Sequence, residues 1–382
     1  MIIRPHERKI LFSPMLSSFG GGSSRGFGFP GLGGGGLPEF VMTLAASNSH
    51  QRTGDSDASI NSFFASVTDP GYFSSTLNSS STGVTGYYGF VLAVGVNVNI
   101  RCKGASGGLP YQNSWARCRG YGRDVDGDFA LSAGTQIHFF AGYPGKDVGS
   151  SVDTNSGAPG GGASVVYMMS GGSKIPLVIG AGGSGFSVYQ GEHSTAKSSG
   201  DRIMASARSL EGLGAVGHGD YRNWRNSNTT TTYTSTNTYG IGRNSAGGGG
   251  GGWSNSGRNV DGATDNKHGG GLDYNATGGS GTSGGGDGGF GGGGGAHSGN
   301  GYAGAGGGYF GGIEVGSGGT QTTYHSYTTV VGDQDNDDGA PVSYVATSAT
   351  SWSDNGRHGT LAGASTDDPA AGGVVIFTFN AQ

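Results

Sequence analysis

Two clusters of acidic residues have a spacing suited to metal chemistry. They consist of Asp124, Asp126 and Asp128 in one cluster and Asp333, Asp335 and Asp337 in the other. Carboxylates at alternate positions are typical of the first half of a calcium-binding loop, but neither cluster continues to the bidentate glutamate that completes an EF-hand. Calcium is the only metal that this pattern suggests, and a solvated acidic turn is the interpretation we favour over an ion site.

A second motif, from Gly180 to Gly185, follows the apolar run Ile175–Ile179 and spells the dinucleotide fingerprint G-x-G-x-x-G. Such a motif holds a pyrophosphate at the N-terminus of a helix. No apolar stripe with a helical period follows it, and with 86 glycines in 382 residues the pattern is expected by chance. The nine histidines lack a metallohydrolase spacing. We therefore predict no cofactor and no enzymatic activity.

Two stretches rich in threonine and tyrosine, 228–239 and 320–331, interrupt glycine-rich sequence. Stiff aromatic side chains give a large contact area at little entropic cost on binding. A β-hairpin that packs threonine against tyrosine is an equally favoured interpretation, and it is compatible with recognition. The candidate receptor-binding residues are Tyr233, Tyr239, Tyr324, His325 and Tyr327.

The elements that must position these residues are predicted to be β-strands. Apolar residues alternate with polar ones from Val94 to Lys103, which is the period of a strand with one buried face. Further strand candidates are 135–143, 164–169, 175–179 and 374–379. No segment has a convincing helical period. We predict an all-β class, most simply a β-sandwich in which the C-terminal strand returns beside earlier ones.

Glycine occurs in blocks from Ala246 to Gly312, including six in a row before Trp253. A flexible linker is the usual interpretation of such composition. The alternative is a packed bundle of polyglycine-type helices, in which backbones approach too closely for a Cβ, as in collagen. We predict the packed bundle. Because the blocks lack a strict repeat of three, a single-chain bundle is favoured over a triple helix.

The remaining sequence indicates an N-terminal attachment arm over residues 1–38, a connector with short strands over 39–85, and a glycine-rich β domain over 86–382 with a polyglycine core at 246–312. The arm has no periodic apolar face, so its ordering would come from contacts with other proteins. A formal charge of −5 argues against nucleic acid as a partner. No apolar run is long enough for membrane insertion.

The first 22 residues contain no secretory apolar region, so we expect a protein made in a host cytoplasm. Cys102 and Cys118 are accordingly predicted to be free thiols rather than a disulfide.

Several segments in order resemble one known family. They are VNVNIRCKGASGG, GGGASVVYMM, KIPLVIGAGGSG, GGGGGGW, GYAGAGGGYFGG and GGVVIFTF. This order is similar to the glycine-rich domain of the anaplastic lymphoma kinase receptor family and of bacterial and phage proteins, and more loosely to phage glycine-rich tail-fibre adhesins. The resemblance implies a jelly-roll, tumour-necrosis-factor-like β-sandwich with an inserted bundle of polyglycine helices. The receptor's kinase and membrane span have no counterpart here.

We therefore predict a virion structural protein, a phage tail-fibre, tail-tip or head-fibre component involved in host attachment. Its expected partners are other virion proteins through the arm, a carbohydrate or protein receptor on the host surface, and further copies of itself. The alternatives are a purely structural capsid or tail protein, and an extracellular ligand-binding module.

Overall fold

The computed structural model describes most of the chain between residues 36 and 381. The described ranges are 36–109, 119–148, 157–185, 241–242, 248–254, 256–259, 268–281, 285–296, 303–309, 311–312, 341–359 and 369–381. The chain divides into two compact units, Met1–Gly36 and Leu37–Gln382, and all that follows concerns the second.

Thirteen strands and two short helices make up the regular structure of the described residues. In chain order they are β1 (Phe40–Ala45), α1 (Asp57–Ser66), β2 (Phe73–Leu77), α2 (Ser79–Thr82), β3 (Tyr88–Leu92), β4 (Val96–Lys103), β5 (Gly122–Leu131), β6 (Gln136–Phe140), β7 (Ser164–Ser170), β8 (Ser173–Gly180), β9 (Ile241–Gly242), β10 (Arg258–Asn259), β11 (Tyr344–Val345), β12 (Ser351–His358) and β13 (Val374–Phe379). The predicted all-β class is confirmed, and five predicted strands correspond to β4, β6, β7, β8 and β13.

One sheet has five antiparallel strands in the order β1-β13-β4-β5-β12. The alternation noted in the sequence sets its faces. Val98, Ile100 and Cys102 of β4 are buried, whereas Asn97 is exposed and Asn99 is half-buried. The last strand, β13, lies between β1 and β4, so the C-terminal strand returns beside earlier ones as predicted.

The second sheet has six antiparallel strands in the order β11-β8-β7-β6-β3-β2. Its central strands are buried on both faces. Along β7, Val166 belongs to the core shared with the five-stranded sheet, while Val165 and Tyr167 face a separate apolar cluster on the opposite side. This explains why β7 is a continuous apolar run rather than an alternating one.

Aromatic side chains fill the space between the two sheets. Phe377 of β13 packs against Phe90 and Phe139 with ring centroids 5.3 and 5.0 Å apart. Tyr72 and Phe379 stack at 4.8 Å. Both sheets thus share one hydrophobic core.

Residues 39–85, expected to be a connector, are built into this core. β1 pairs along its length with β13, and β2 pairs with β3. The segment INSFFASV contains most of α1 and not a strand, and Ser56 caps this helix by accepting a hydrogen bond from the amide of Ser59 (3.3 Å). Its buried residue Ile60 and half-buried Phe64 contact the core.

A layer of glycine-rich extended segments continues from the ends of β4, β6 and β8 and leads into β5 and β7, and part of it packs on the outer face of the six-stranded sheet. We call it the glycine layer and define it by residues 104–109, 119–122, 141–148, 157–163, 181–185, 248–253, 268–281, 285–296 and 303–309. Trp253, Leu272 and Phe290 supply its few large side chains, which pack against Tyr87, Tyr167 and other residues of the sheet.

The amides of the glycine layer bind neighbouring segments with a step of three residues. Gly182 and Gly185 donate to the carbonyls of Gly307 and Gly304 at 2.9 and 2.8 Å, while the intervening Gly183 donates to Ala105 of another segment. Further pairs of donors with this step, each pair binding one neighbour, are Gly104 and Gly107, Gly120 and Arg123, Tyr143 and Lys146, Gly160 and Ala163, Gly248 and Gly251, and Ala305 and Gly308. A strand would show a step of two.

At many glycines of the layer the spacing between these segments leaves no room for a side chain. A Cβ built on Gly162 would lie within 3.0 Å of three backbone atoms of Phe290 and Gly291. A Cβ on Gly293 would collide with the backbone of Gly160 and Gly289 in the same way. The described part of the glycine stretch is therefore packed rather than a linker.

Candidate functional site

The five candidate receptor-binding residues lie outside the described part of the chain. The same holds for the second acidic cluster, for residues 1–35 of the attachment arm and for Cys118. These predictions concern Tyr233, Tyr239, Tyr324, His325, Tyr327, Asp333, Asp335 and Asp337, and they stay predictions.

What the structure does show is where the described residues on either side of the two threonine- and tyrosine-rich stretches lie. Directly after the first stretch, Ile241 of β9 pairs with Arg258 of β10. Gly185, the last described residue before the first stretch, donates to Gly304 (2.8 Å). Gly248, which follows that stretch, accepts from Ala305 (3.0 Å). Gly312, just before the second stretch, donates to Gly306 (2.8 Å). We call Gly185, Gly248, Gly312 and Val342 the flanks of the longer segments 186–247 and 313–340 that contain the two stretches, and the first three of them bind consecutive residues of a single segment.

The fourth flank joins the same segment a few residues further on. After the second stretch, Val342 accepts a hydrogen bond from the amide of Tyr309 (2.8 Å), and Tyr309 stacks on Tyr344 with centroids 4.4 Å apart. An extended chain with three residues per turn rises about 3.1 Å per residue. The flanks therefore meet the segment Ala303–Tyr309 over a length of roughly 15 Å at that rise.

Other chain ends gather near the same part of the layer. Val148 donates to Leu109 (3.0 Å), which brings together the residues before 110–118 and before 149–156. Ala158 accepts from Gly304 (2.9 Å), next to Gly185. The glycine layer thus fixes the ends of several connecting stretches largely by backbone hydrogen bonds.

The glycine fingerprint at Gly180–Gly185 belongs to this layer. Gly180 ends β8, and the described residues after it are extended rather than helical. The amides of Gly182, Gly183 and Gly185 donate to backbone carbonyls of the layer, so they are not free to bind a phosphate.

The first acidic cluster lies on a strand, not in a calcium loop. Asp124, Asp126 and Asp128 are all on β5, and the period of two places them on one face. Asp124 accepts two hydrogen bonds from Arg101 at 2.7 and 2.6 Å and lies 3.2 Å from the ammonium of Lys103. Burial alone would raise the pKa of the Asp124 carboxyl, but hydrogen bonding to Arg101 and the positive charge of Lys103 outweigh burial and hold it below its ordinary value.

The other two carboxylates bind amide and hydroxyl groups. The amide of Asn99 donates to both Asp126 (3.0 Å) and Asp128 (2.8 Å). On the other side, Asn355 donates to Asp126 (2.6 Å) and Ser351 to Asp128. The carboxylates cross-link β4, β5 and β12, and among the described residues no group of three histidine, cysteine or acidic side chains could hold a metal ion. The geometry does not support the calcium interpretation of this cluster.

A buried polar cluster that the sequence analysis missed joins the six-stranded sheet to the glycine layer. Gln136 lies with its amide nitrogen 2.6 Å from His138 Nε2, and His138 Nδ1 lies 2.9 Å from the hydroxyl of Tyr167. With the amide nitrogen of Gln136 as the donor, Nε2 accepts, which corresponds to a neutral imidazole. Burial, with Lys174 nearby, lowers the pKa of His138 to about 4.

Two hydrogen bonds beside this cluster hold a turn of the glycine layer. The hydroxyl of Tyr87 donates to the carbonyl of Leu272, and the ammonium of Lys174 donates to the carbonyl of Asp273. The alternation along β6 could have predicted that His138 lies on the same face as Phe140. Its partner Tyr167 on β7 and the glycine turn at Asp273 could not be predicted, because they are remote in sequence.

The described cysteine, Cys102, is a free thiol buried on β4. Its Sγ lies 3.5 Å from the carbonyl of Val178, and burial raises its pKa well above the usual value. It has the character of a core residue and not of a nucleophile.

A comparison with protein-family models and one with curated proteins found no match to this chain. Among the described residues, no helix combines the length and apolar character needed to cross a membrane. The resemblance to glycine-rich domains therefore rests on the sequence segments quoted above.

Proposed function

We propose that this chain is a structural protein of a virion, a tail-fibre, tail-tip or head-fibre component that contacts the host through its two threonine- and tyrosine-rich stretches. The observation that carries the proposal is the convergence of their flanks on Ala303–Tyr309. Backbones that are hydrogen-bonded on several sides make a rigid base, and rigidity lowers the entropic cost of presenting a binding surface.

We further propose that the segments of the glycine layer are polyglycine helices. Three residues per turn and no hydrogen bonds within a segment define this conformation. The step of three in the donors, and the lack of space for a Cβ at glycines such as Gly162 and Gly293, both support the assignment. In the same proposal, the two sheets form a jelly-roll sandwich of tumour-necrosis-factor-like type. The return of β13 beside β1 through a long connection, as in a Greek key, supports it.

In this proposal, residues 1–38 attach the protein to the particle. The glycine layer itself offers few side chains that could distinguish one surface from another, so specificity would come from the interrupting stretches. Tyrosine and histidine on such stretches suit a polar protein surface or a carbohydrate.

The test is adsorption of particles that carry a variant with Tyr233, Tyr239, Tyr324 and Tyr327 all replaced by alanine. We expect incorporation into particles to be unchanged and binding to host cells to fall at least tenfold, because aromatic anchors contribute most of the energy of such interfaces. Tyr274→Ala is the matched control, since Tyr274 is an exposed tyrosine (44%) outside the two stretches. Full adsorption by the fourfold variant would favour the purely structural alternative, and absence of the protein from purified particles would overturn the proposal as a whole.

A further inference from the structure

The outer edge of the five-stranded sheet is an open strand. β1 has the sequence FVMTLA, without a charge, a proline or a bulge, and among the described residues it pairs with β13 on one side only. Exposed strands of this kind template pairing with another chain, and proteins normally blunt them with charges, prolines or bulges.

The other edges of the two large sheets, among the described residues, are blunted in these ways. β12 carries Asp354 and Arg357 and is interrupted by a bulge before Gly356. β2 has a register shift between Phe73 and Ser75. β11 has only two residues.

The hydrogen-bonding pattern shows which groups of β1 are available. The amide of Ala46 donates to the carbonyl of Gly373 (2.9 Å). In an antiparallel pair every second residue bonds to the partner strand, so residues 40, 42 and 44 also bond to β13. The amides and carbonyls of Val41, Thr43 and Ala45 therefore point away from the sheet. Their side chains are exposed, with Val41 at 53%, whereas Met42 and Leu44 are buried in the core.

We propose that β1 is a self-association surface that pairs antiparallel with β1 of a second copy of this chain about a two-fold axis at Thr43. In that register Thr43 faces Thr43, and Val41 faces Ala45 of the other copy. Each outward amide and carbonyl of these three residues then meets a partner. Cross-strand threonine pairs and β-branched pairs are favourable.

Charge favours a second copy as the occupant. Like charges placed opposite each other across a two-fold axis would repel, and β1 has none. If the same register continues beyond β1, Glu39 of one copy faces Ser47 of the other copy rather than another carboxylate. On the adjoining β13, the residues that share the outer face with Val41, Thr43 and Ala45 are also uncharged; they are Val374, Ile376 and Thr378. No like charges on β1 or β13 would therefore be brought together near the two-fold axis.

The size of the contact sets the expected strength. Stable protein interfaces bury about 1,200–2,000 Å², and one pair of six-residue strands is smaller than that. We therefore expect a reversible dimer with a dissociation constant between roughly 10 μM and 1 mM. Where many copies are held on one assembly, their high effective concentration would strengthen the pairing.

The test is analytical ultracentrifugation of the full chain and of Thr43→Lys. The substitution places lysine opposite lysine at the axis while leaving every β1–β13 hydrogen bond, and we expect the dissociation constant to rise at least tenfold with an unchanged melting temperature. Ser353→Lys, an exposed position on the opposite edge strand, is the matched control and should associate like the wild type.

A charge exchange separates pairing through β1 from any other effect of the lysine. Thr43→Glu alone should also weaken association, while an equimolar mixture of Thr43→Lys and Thr43→Glu should restore it. A wild-type chain that stays monomeric to 1 mM, a Thr43→Lys chain that associates as before, or a mixture that does not recover would each overturn the proposal. Thr43→Pro, which removes an outward amide only, gives a second variant should lysine reduce solubility.

Discussion

The core between the sheets and the glycine layer are both tightly packed, but different parts of the chain do the packing. Between the sheets, rings such as Phe90, Phe139 and Phe377 contact one another, and all three are at most 1% exposed. In the glycine layer, backbone contacts backbone, as where Gly162 lies against Phe290 and Gly291.

The difference teaches that hydrophobic burial is not the only route to an ordered interior. An aromatic core gains free energy in proportion to the apolar area removed from water. A glycine layer has little such area, and ordering glycine costs more backbone entropy than ordering any other residue. Its order must come from cooperative hydrogen bonds and from the aromatic rings that fix it to the sheet.

The largest effect is expected from removing a ring in the core. Phe377→Ala should lower the free energy of unfolding by about 3–5 kcal/mol, because it leaves a cavity among rings that are already packed. Phe377→Leu should cost clearly less, since it keeps most of the volume. Urea denaturation checks both. Equal losses for alanine and leucine would mean that the core does not depend on volume.

A single methyl group in the glycine layer should have nearly as large an effect. Gly293→Ala is expected to cost about 3 kcal/mol, since the atoms that it meets belong to the backbone and cannot rotate away.

Gly95→Ala is the matched control, because a Cβ there would have its nearest contact at 3.6 Å. It should be neutral or stabilise by about 0.4–1 kcal/mol through the entropy of the unfolded chain. Both are measured by thermal and urea denaturation. The same small change for Gly293→Ala and Gly95→Ala would contradict tight packing of the layer.

The smallest effect is expected at the boundary between the two regions. His138 has a pKa of about 4 when folded and 6.5 ordinarily, so the unfolded chain binds a proton more readily than the folded one. Stability should therefore fall as the pH drops from about 6.5 to 4, by roughly 2 kcal/mol after allowance for solvent screening.

His138→Asn keeps a polar atom near Nδ1 and does not titrate. We expect unfolding measured at several pH values to show a shallower decline for this variant than for the wild type. Part of the decline in stability should remain in the variant, because burial also lowers the pKa values of His50 and His358. Parallel curves for the two proteins would show that the pKa of His138 hardly differs between the folded and the unfolded chain.

The sequence predicted the strands whose apolar residues alternate or run together, because burial of a face directly constrains residue type. It missed β5 as a strand, since its exposed face carries three aspartates that resemble a calcium loop. The partners that explain these aspartates, Arg101 and Asn355, lie on β4 and β12 and are remote in sequence.

The glycine composition predicted a packed layer but not its location. Which segment donates to which depends on tertiary contacts between residues that carry no side chain to mark them. The convergence of flanks on Ala303–Tyr309 was likewise beyond the sequence. The helix α1 has a weak apolar stripe, and only Ser56 followed by Asp57 hinted at a capped start.

The position of β13 has a consequence for how the chain must be made. β1 and β4 do not bond to each other, because β13 lies between them, and β13 follows every other described strand along the chain. Until residue 379 has left the ribosome, β1 has no neighbour and one side of β4 is unpaired. Pairings between segments so remote in sequence form slowly, and unpaired strand edges promote aggregation while they wait. Translation and chaperone supply, more than final stability, should therefore limit the yield of this protein.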